Sequence, residues 1–158
     1  MLLYHGSDVL IGTIDLSKSQ YFKDFGRGFY LSDNFKQAND FAKYEAAKPS
    51  SGTHKPFVTT FYFDENNLKN GELLVLEFNS YNETWIDFID RNRNTVNQDY
   101  DVIIGPIAND QVRSQFLRYE NGEINKFELL DSLKYKHLTF QYCFVTEKAI
   151  SKLERKRQ

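Results

Sequence analysis

Phe25-Gly26-Arg27-Gly28-Phe29-Tyr30-Leu31-Ser32 compresses a turn and a strand into one short stretch. Two glycines one residue apart suit a backbone that bends tightly or comes close to a ligand, because neither carries a Cβ. Phe29-Tyr30-Leu31 is aromatic and aliphatic and reads as a short strand. Tyr30 would then present a flat ring beside the glycines. The same stretch also reads as an aromatic hairpin turn. It is not a dinucleotide fingerprint, because GxGxxG after a strand is absent.

Outward from this stretch the chain alternates short strands and helices. Leu2–His5 is an apolar strand ended by Gly6-Ser7. Downstream, a helix is expected from Asp33, with Asp33 as its cap. Phe35, Ala38, Phe41 and Ala42 fall on helical spacing, and Glu45 sits at the wet edge. Further strands are expected at 57–63, 73–78, 100–107 and 137–146, and helices at 82–93, 110–119, 124–133 and from Thr146 onward. Trp85, Phe88 and Ile89 share one face of the 82–93 helix. Asn121-Gly122 is a helix-ending signal. In 137–146, Leu138, Phe140, Tyr142 and Phe144 alternate with Thr139, Gln141, Cys143 and Val145 on the other face. Lys48–His54, rich in turn formers, reads as a mobile surface loop. Helices set among short strands imply an α+β fold in a single domain spanning 1–158.

Composition narrows the function classes. The chain has 158 residues, enough to bury roughly two-thirds of its unfolded surface in one core. Its 14 Phe and 10 Tyr favour packed β-structure over disorder. A net charge of −2 argues against a general basic footprint for nucleic acid, and the basic tail Lys152–Gln158 reads as solvated. No stretch reaches the ~20 apolar residues of a membrane span. The N-terminus shows no signal peptide, and the single Cys143 allows no internal disulfide, so a reducing, cytoplasmic setting is expected. His5, His54 and His137 have no metal-ligand spacing, and no metal is expected. Cys143 has no paired histidine to activate it.

Three segments offer chemistry. In Tyr4-His5-Gly6-Ser7, a strand-end imidazole suited to a ribose hydroxyl stands beside backbone N–H and C=O groups suited to a planar carboxamide. The alternative is a half-buried histidine before a turn. The 25–32 stretch is the second. In the third, Thr139-Phe140-Gln141-Tyr142, Gln141 faces away from the phenyl rings and so toward a cleft, or is an ordinary hydrogen-bonder on a wet face. Asn109 and Asp110, after the apolar Tyr100–Ile107 strand, would face the cleft or cap the next helix, capping being the better reading.

In this order the segments resemble the His-Tyr-Glu class of ADP-ribosyltransferases, which includes diphtheria toxin and the poly(ADP-ribose) polymerases. Tyr4–Ser7 and Phe25–Leu31 match the polymerase pattern His-Gly-Ser followed by Phe-Gly-x-Gly-x-Tyr-Phe. The chain also resembles, over nearly its whole length, a bacterial family known only as a domain of unknown function and grouped with this superfamily. Phe25–Tyr30, Tyr100–Pro106 and Phe140–Tyr142 carry that second likeness.

The resemblance implies an ADP-ribosyltransferase fold, with two small antiparallel sheets around a cleft for NAD⁺ as co-substrate. It implies that His5 holds the adenosine-side or nicotinamide-side ribose hydroxyls and that Gly6 pairs with the carboxamide. Ser7, Arg27 and Gly28 would line the site, and Tyr30 and Phe41, eleven positions apart, would sandwich the nicotinamide. Gln141 stands where the family has its catalytic Glu. An amide bonds a hydroxyl but carries no charge to stabilise a cation and cannot act as a base. An acid from elsewhere, Glu147, Asp110 or Asp101, would have to serve. Ala38 stands where the family has a carboxamide-binding Ser, a loss of about 1 kcal/mol. The implied activity is mono-ADP-ribosylation of a macromolecular acceptor, protein or nucleic acid, by a bacterial toxin paired with an antitoxin. A silent NAD⁺ or ADP-ribose binding module, or an NAD⁺ glycohydrolase, is the alternative.

Overall fold

The computed structural model describes residues 1–94, 99–108, 110–134 and 136–157. Seven strands run β1 Leu2–Ser7, β2 Phe29–Ser32, β3 Phe57–Phe63, β4 Val75–Glu77, β5 Val102–Pro106, β6 Phe140–Phe144 and β7 Leu153–Arg155. Five helices among the described residues run α1 Phe35–Ala47, α2 Glu83–Asn94, α3 Asp110–Glu120, α4 Lys126–Leu133 and α5 Glu147–Ile150. The α+β class holds. The expectation of two small antiparallel sheets does not: the strands form a single mixed sheet ordered β4-β5-β6-β2-β1-β3-β7. Its one parallel pair is β4 with β5, the crossover between them carrying α2. The two halves join at the centre because β2 pairs with β6 on one side and with β1, through Tyr4↔Ser32, on the other.

Both faces of the sheet are covered, which is why β5 is buried at every position. Ile103 and Cys143 turn into one cluster with Phe25, Trp85, Ile86, Ile89, Phe116 and Leu129, so α2, α3 and α4 cover that side. Val102, Ile104 and Phe144 turn into a second cluster with Leu3, Leu31, Phe61 and Phe63. Of the strand expected over 137–146, only Phe140–Phe144 forms, and the alternation holds from 140 to 145, with Phe140, Tyr142 and Phe144 on the second cluster and Cys143 and Val145 on the first. The Asn121-Gly122 stop also appears: Gly122 takes φ +75°, and Glu123 N–H returns to the Arg118 carbonyl at 2.9 Å.

Several local expectations are corrected. Asn34, not Asp33, caps α1, its side chain accepting from Gln37 N–H at 3.1 Å. The buried stripe of α1 is Ala38, Ala42 and Ala46, while Phe35 and Phe41 are exposed. The reason lies in β1. A Cβ on Gly6 would stand 1.9 Å from the Ala38 carbonyl oxygen, so helix and strand backbones touch and only small side chains fit. The basic tail is not simply solvated, because Leu153–Arg155 pairs with the outer edge of β3. That pairing covers backbone groups an edge strand would otherwise present. The 48–54 loop is tethered: buried Ser51 donates to the Asp8 carboxylate at 2.7 Å, and Thr53 donates to the Asp8 carbonyl.

Candidate functional site

The site residues gather where β1 and β2 part. Met1 and Phe63 exchange both backbone bonds, at 2.7 and 3.0 Å, and β1 pairs with β3 in unbroken register beyond them. In an antiparallel ladder such bonds alternate, so Leu3, His5 and Ser7 turn their backbone groups to β3, while Leu2, Tyr4 and Gly6 turn theirs to β2. Tyr4 meets Ser32, and the register between β1 and β2 stops there. Gly6, the next position facing β2, therefore directs its N–H and C=O into an open seam.

His5 wedges into the same seam. Its Nδ1 lies 2.7 Å from the Tyr30 carbonyl oxygen, and its ring stacks on Phe29 with centroids 4.3 Å apart. Since a carbonyl only accepts, Nδ1 carries the proton and Nε2 is left as an acceptor. Burial pushes the His5 pKa down. The Tyr30 carbonyl opposes this, Lys23 adds to it and Glu45 opposes it, with a net lowering that keeps the ring neutral at pH 7.

Cross-strand partners share a face of the sheet. Tyr4↔Ser32, Ser32↔Gln141 and Tyr30↔Cys143 therefore place Gly6, Tyr30, Ser32 and Gln141 on the face that α1 covers. Tyr30 and Gln141 are diagonal neighbours, about 7–8 Å apart at the backbone. The Gln141 Nε2 is buried with no hydrogen-bond partner. The Tyr30 hydroxyl donates to the Gly26 carbonyl at 2.7 Å and accepts from Phe25 N–H at 3.1 Å, which locks the turn before β2. Burial, reinforced by the Cys143 thiol, raises the Tyr30 pKa well above its usual value. Burial likewise pushes the Cys143 thiol up to about 12, so it is no nucleophile.

One turn of α1 brings Phe41 to the same place. The Lys23 ammonium lies 5.8 Å from the Tyr30 ring centroid and 5.7 Å from that of Phe41, so one cation faces both rings. Four residues after Phe41, Glu45 accepts a bond from Lys48 Nζ at 2.7 Å. Its negative field acts on both His5 and Lys23.

The family model described as protein of unknown function (DUF3990) matches residues 1–155. The chain belongs to that family. No curated protein and no solved structure matches it.

Within this DUF3990 chain the remaining predicted residues have mostly structural partners. Gly26 takes φ +75°. A Cβ on Gly28 would meet the Cys143 sulfur at 2.4 Å, so that glycine is required by contact with β6. Arg27 stacks on Tyr21 and donates to the Tyr21 hydroxyl at 3.0 Å and the Leu16 carbonyl at 3.1 Å, holding the loop rather than facing the seam. The Ser7 hydroxyl accepts from Val9 N–H at 3.1 Å.

Of the three acids offered as substitutes for the missing Glu, the two whose side chains are described, Asp101 and Glu147, are not brought to the seam. Asp101 accepts from the Thr146 hydroxyl at 2.6 Å and from Leu74 N–H at 2.9 Å. Partial burial would raise its pKa, but those bonds and Lys148 outweigh it and hold the carboxyl below the usual range. Glu147 is exposed in the first turn of α5. Asn109 and the Asp110 side chain lie outside the described residues. Lys23 and Glu45 are the polar residues at the site that sequence reasoning missed. Glu45 was within reach, since i and i+4 share a helix face with Phe41. Lys23 left no signal, because only the folded loop brings it between the rings.

No helix among the described residues is long and apolar enough to cross a membrane. Two open depressions lie away from the seam. One is bounded by Gln111, Ser114 and Ser132, the other by Tyr81, Thr84 and Phe127.

Proposed function

We propose that this DUF3990 chain binds NAD⁺ at the β1/β2 seam and transfers ADP-ribose to a macromolecular acceptor. What carries the reading is that the Gly6 backbone and the Tyr30 and Phe41 rings lie on the α1 face of the β1/β2 seam, while the His5 ring enters the same seam from the Phe29 face and bonds the Tyr30 carbonyl. Gly6 offers N–H and C=O side by side, the pair that a carboxamide's oxygen and NH₂ complement. The His5 Nε2 accepts from a ribose hydroxyl, its tautomer fixed by Tyr30. The unpartnered Gln141 Nε2 is a buried donor that a hydroxyl oxygen would satisfy.

Holding ring and ribose at fixed points orients the glycosidic bond between them. That bond breaks with its electron pair leaving on nicotinamide. The anomeric carbon, with oxocarbenium character, bonds an acceptor nucleophile, which gives up its proton to solvent water. Glu45 is a carboxylate whose field reaches His5, and it supplies negative charge near the developing cation. In a cell this chemistry suits a toxin held in check by a partner antitoxin.

Gln141 favours a second reading, a module that binds NAD⁺ without cleaving it. The experiment that separates them is nicotinamide release from NAD⁺ by the purified protein, with and without cell lysate, in wild type, His5→Ala and Gln141→Ala. Release that collapses in His5→Ala supports the enzyme, and dependence on lysate establishes transfer over hydrolysis. Binding without release supports the silent module, and absence of binding overturns the site.

A further inference from the structure

Lys23 stands at the seam between the two rings, and the proposed chemistry has no use for it. Its ammonium faces both ring centroids, at 5.8 and 5.7 Å, within the roughly 6 Å over which a cation is held by a ring face. Among the described residues it forms no salt bridge. Glu45 and Asp24 attract it from a distance, while Lys48 and Arg113 repel it. A half-buried lysine held chiefly by two aromatic faces occupies the space where a planar ring would lie between them.

The backbone around it is fixed on both sides. Phe22 sits in the left-handed region at φ 62°, a conformation a bulky residue adopts only where its surroundings impose it. Asp24 is bound by Arg93 at 2.8 Å, and Arg93 also binds Glu120 at 2.8 Å, tying the loop to α2 and α3.

We propose that Lys23 is a built-in occupant of the ring slot, and that ligand binding requires its side chain to swing out. The proposal rests on the reading of the seam as a nicotinamide site. The nicotinamidium of NAD⁺ is itself a cation with a flat face, so lysine and ligand compete for the same π-electron density. Lys23 thereby sets a threshold for occupancy, and its displacement toward Glu45 accompanies binding.

The test is calorimetric titration of wild type, Lys23→Met and Phe41→Ala with NAD⁺ and with benzamide, a neutral ring and carboxamide without ribose or phosphate. Methionine keeps length and removes charge. Phe41 is 38% exposed, so its truncation leaves the core closed. Lys23→Met is expected to bind benzamide roughly three- to tenfold more tightly than wild type, and Phe41→Ala to bind it more weakly. If wild type binds benzamide in a Phe41-dependent way and Lys23→Met is no tighter, the gate is wrong while the seam reading survives. If neither wild type nor Lys23→Met binds either compound, or Phe41→Ala binds both as well as wild type, the seam reading fails and takes the gate with it.

Discussion

Replacing Gly6 by alanine tests the seam at its foundation. The added Cβ would stand 1.9 Å from the Ala38 carbonyl oxygen, 2.9 Å from its carbon and 3.0 Å from Ala42 N. All three are backbone atoms of α1, so no side chain can rotate aside, and the helix must retreat by more than an ångström. Its buried stripe of Ala38, Ala42 and Ala46 retreats with it. An extra methyl group in a packed core costs about 1–3 kcal/mol. With a backbone carbonyl in the way, the cost should sit at or above the top of that range. At a urea m-value of about 2–3 kcal/mol per molar, the unfolding midpoint falls by about 1 M or more. Gly12→Ala is the control, since nothing lies within 4 Å of its would-be Cβ. If Gly6→Ala unfolds within about 0.3 M of wild type, α1 does not rest on β1 as described.

Tyr30→Phe keeps the ring and loses both hydroxyl bonds. It should lower stability by about 1–3 kcal/mol in thermal melts while retaining NAD⁺ binding; a loss of binding as deep as in Tyr30→Ala would refute ring stacking. His5, with its folded pKa below the unfolded value near 6.5, favours the fold when neutral. Its contribution is present above about pH 6.5 and is lost as pH falls from there toward the folded value. The slope is at most about 1.4 kcal/mol per pH unit. Subtracting the urea-derived stability of His5→Gln from that of wild type at pH 5 and 7.5 isolates it, and parallel profiles would rule it out. Gln141→Glu restores a carboxylate beside the ribose position and should raise nicotinamide release by roughly tenfold or more at saturating NAD⁺. An unchanged rate would remove β6 from the reaction.

The α+β class and most elements were legible because periodicity survives in a single chain. The 57–63 strand matched at both ends, and the Trp85, Phe88, Ile89 face pointed into the core as its spacing required. What failed was set by partners distant in sequence. Whether two groups of strands make one sheet or two turned on a single residue pair, Tyr4↔Ser32. Leu153–Arg155 carries little strand signal of its own and became β7 because β3 had an edge to offer. At the site, His5, Gly6, Tyr30 and Phe41 could be picked out by pattern, and the structure brings them to one seam. It also shows that Gly28 and Arg27 are claimed by Cys143, Tyr21 and Leu16.

The second apolar cluster crosses that seam. Leu3, Phe61 and Phe63 on one side pack with Leu31, Val102, Ile104 and Phe144 on the other. Within each half, strands are joined by ladders of backbone hydrogen bonds; between the halves the attachment is chiefly side-chain burial. Burial of this kind is driven near room temperature by solvent entropy and weakens on cooling, whereas the ladders do not share that dependence. The line along which the sheet would open in the cold is thus the line along which it would admit a ligand. Amides of β1 and β2 that face each other should lose exchange protection on chilling before those of β5 and β6 do.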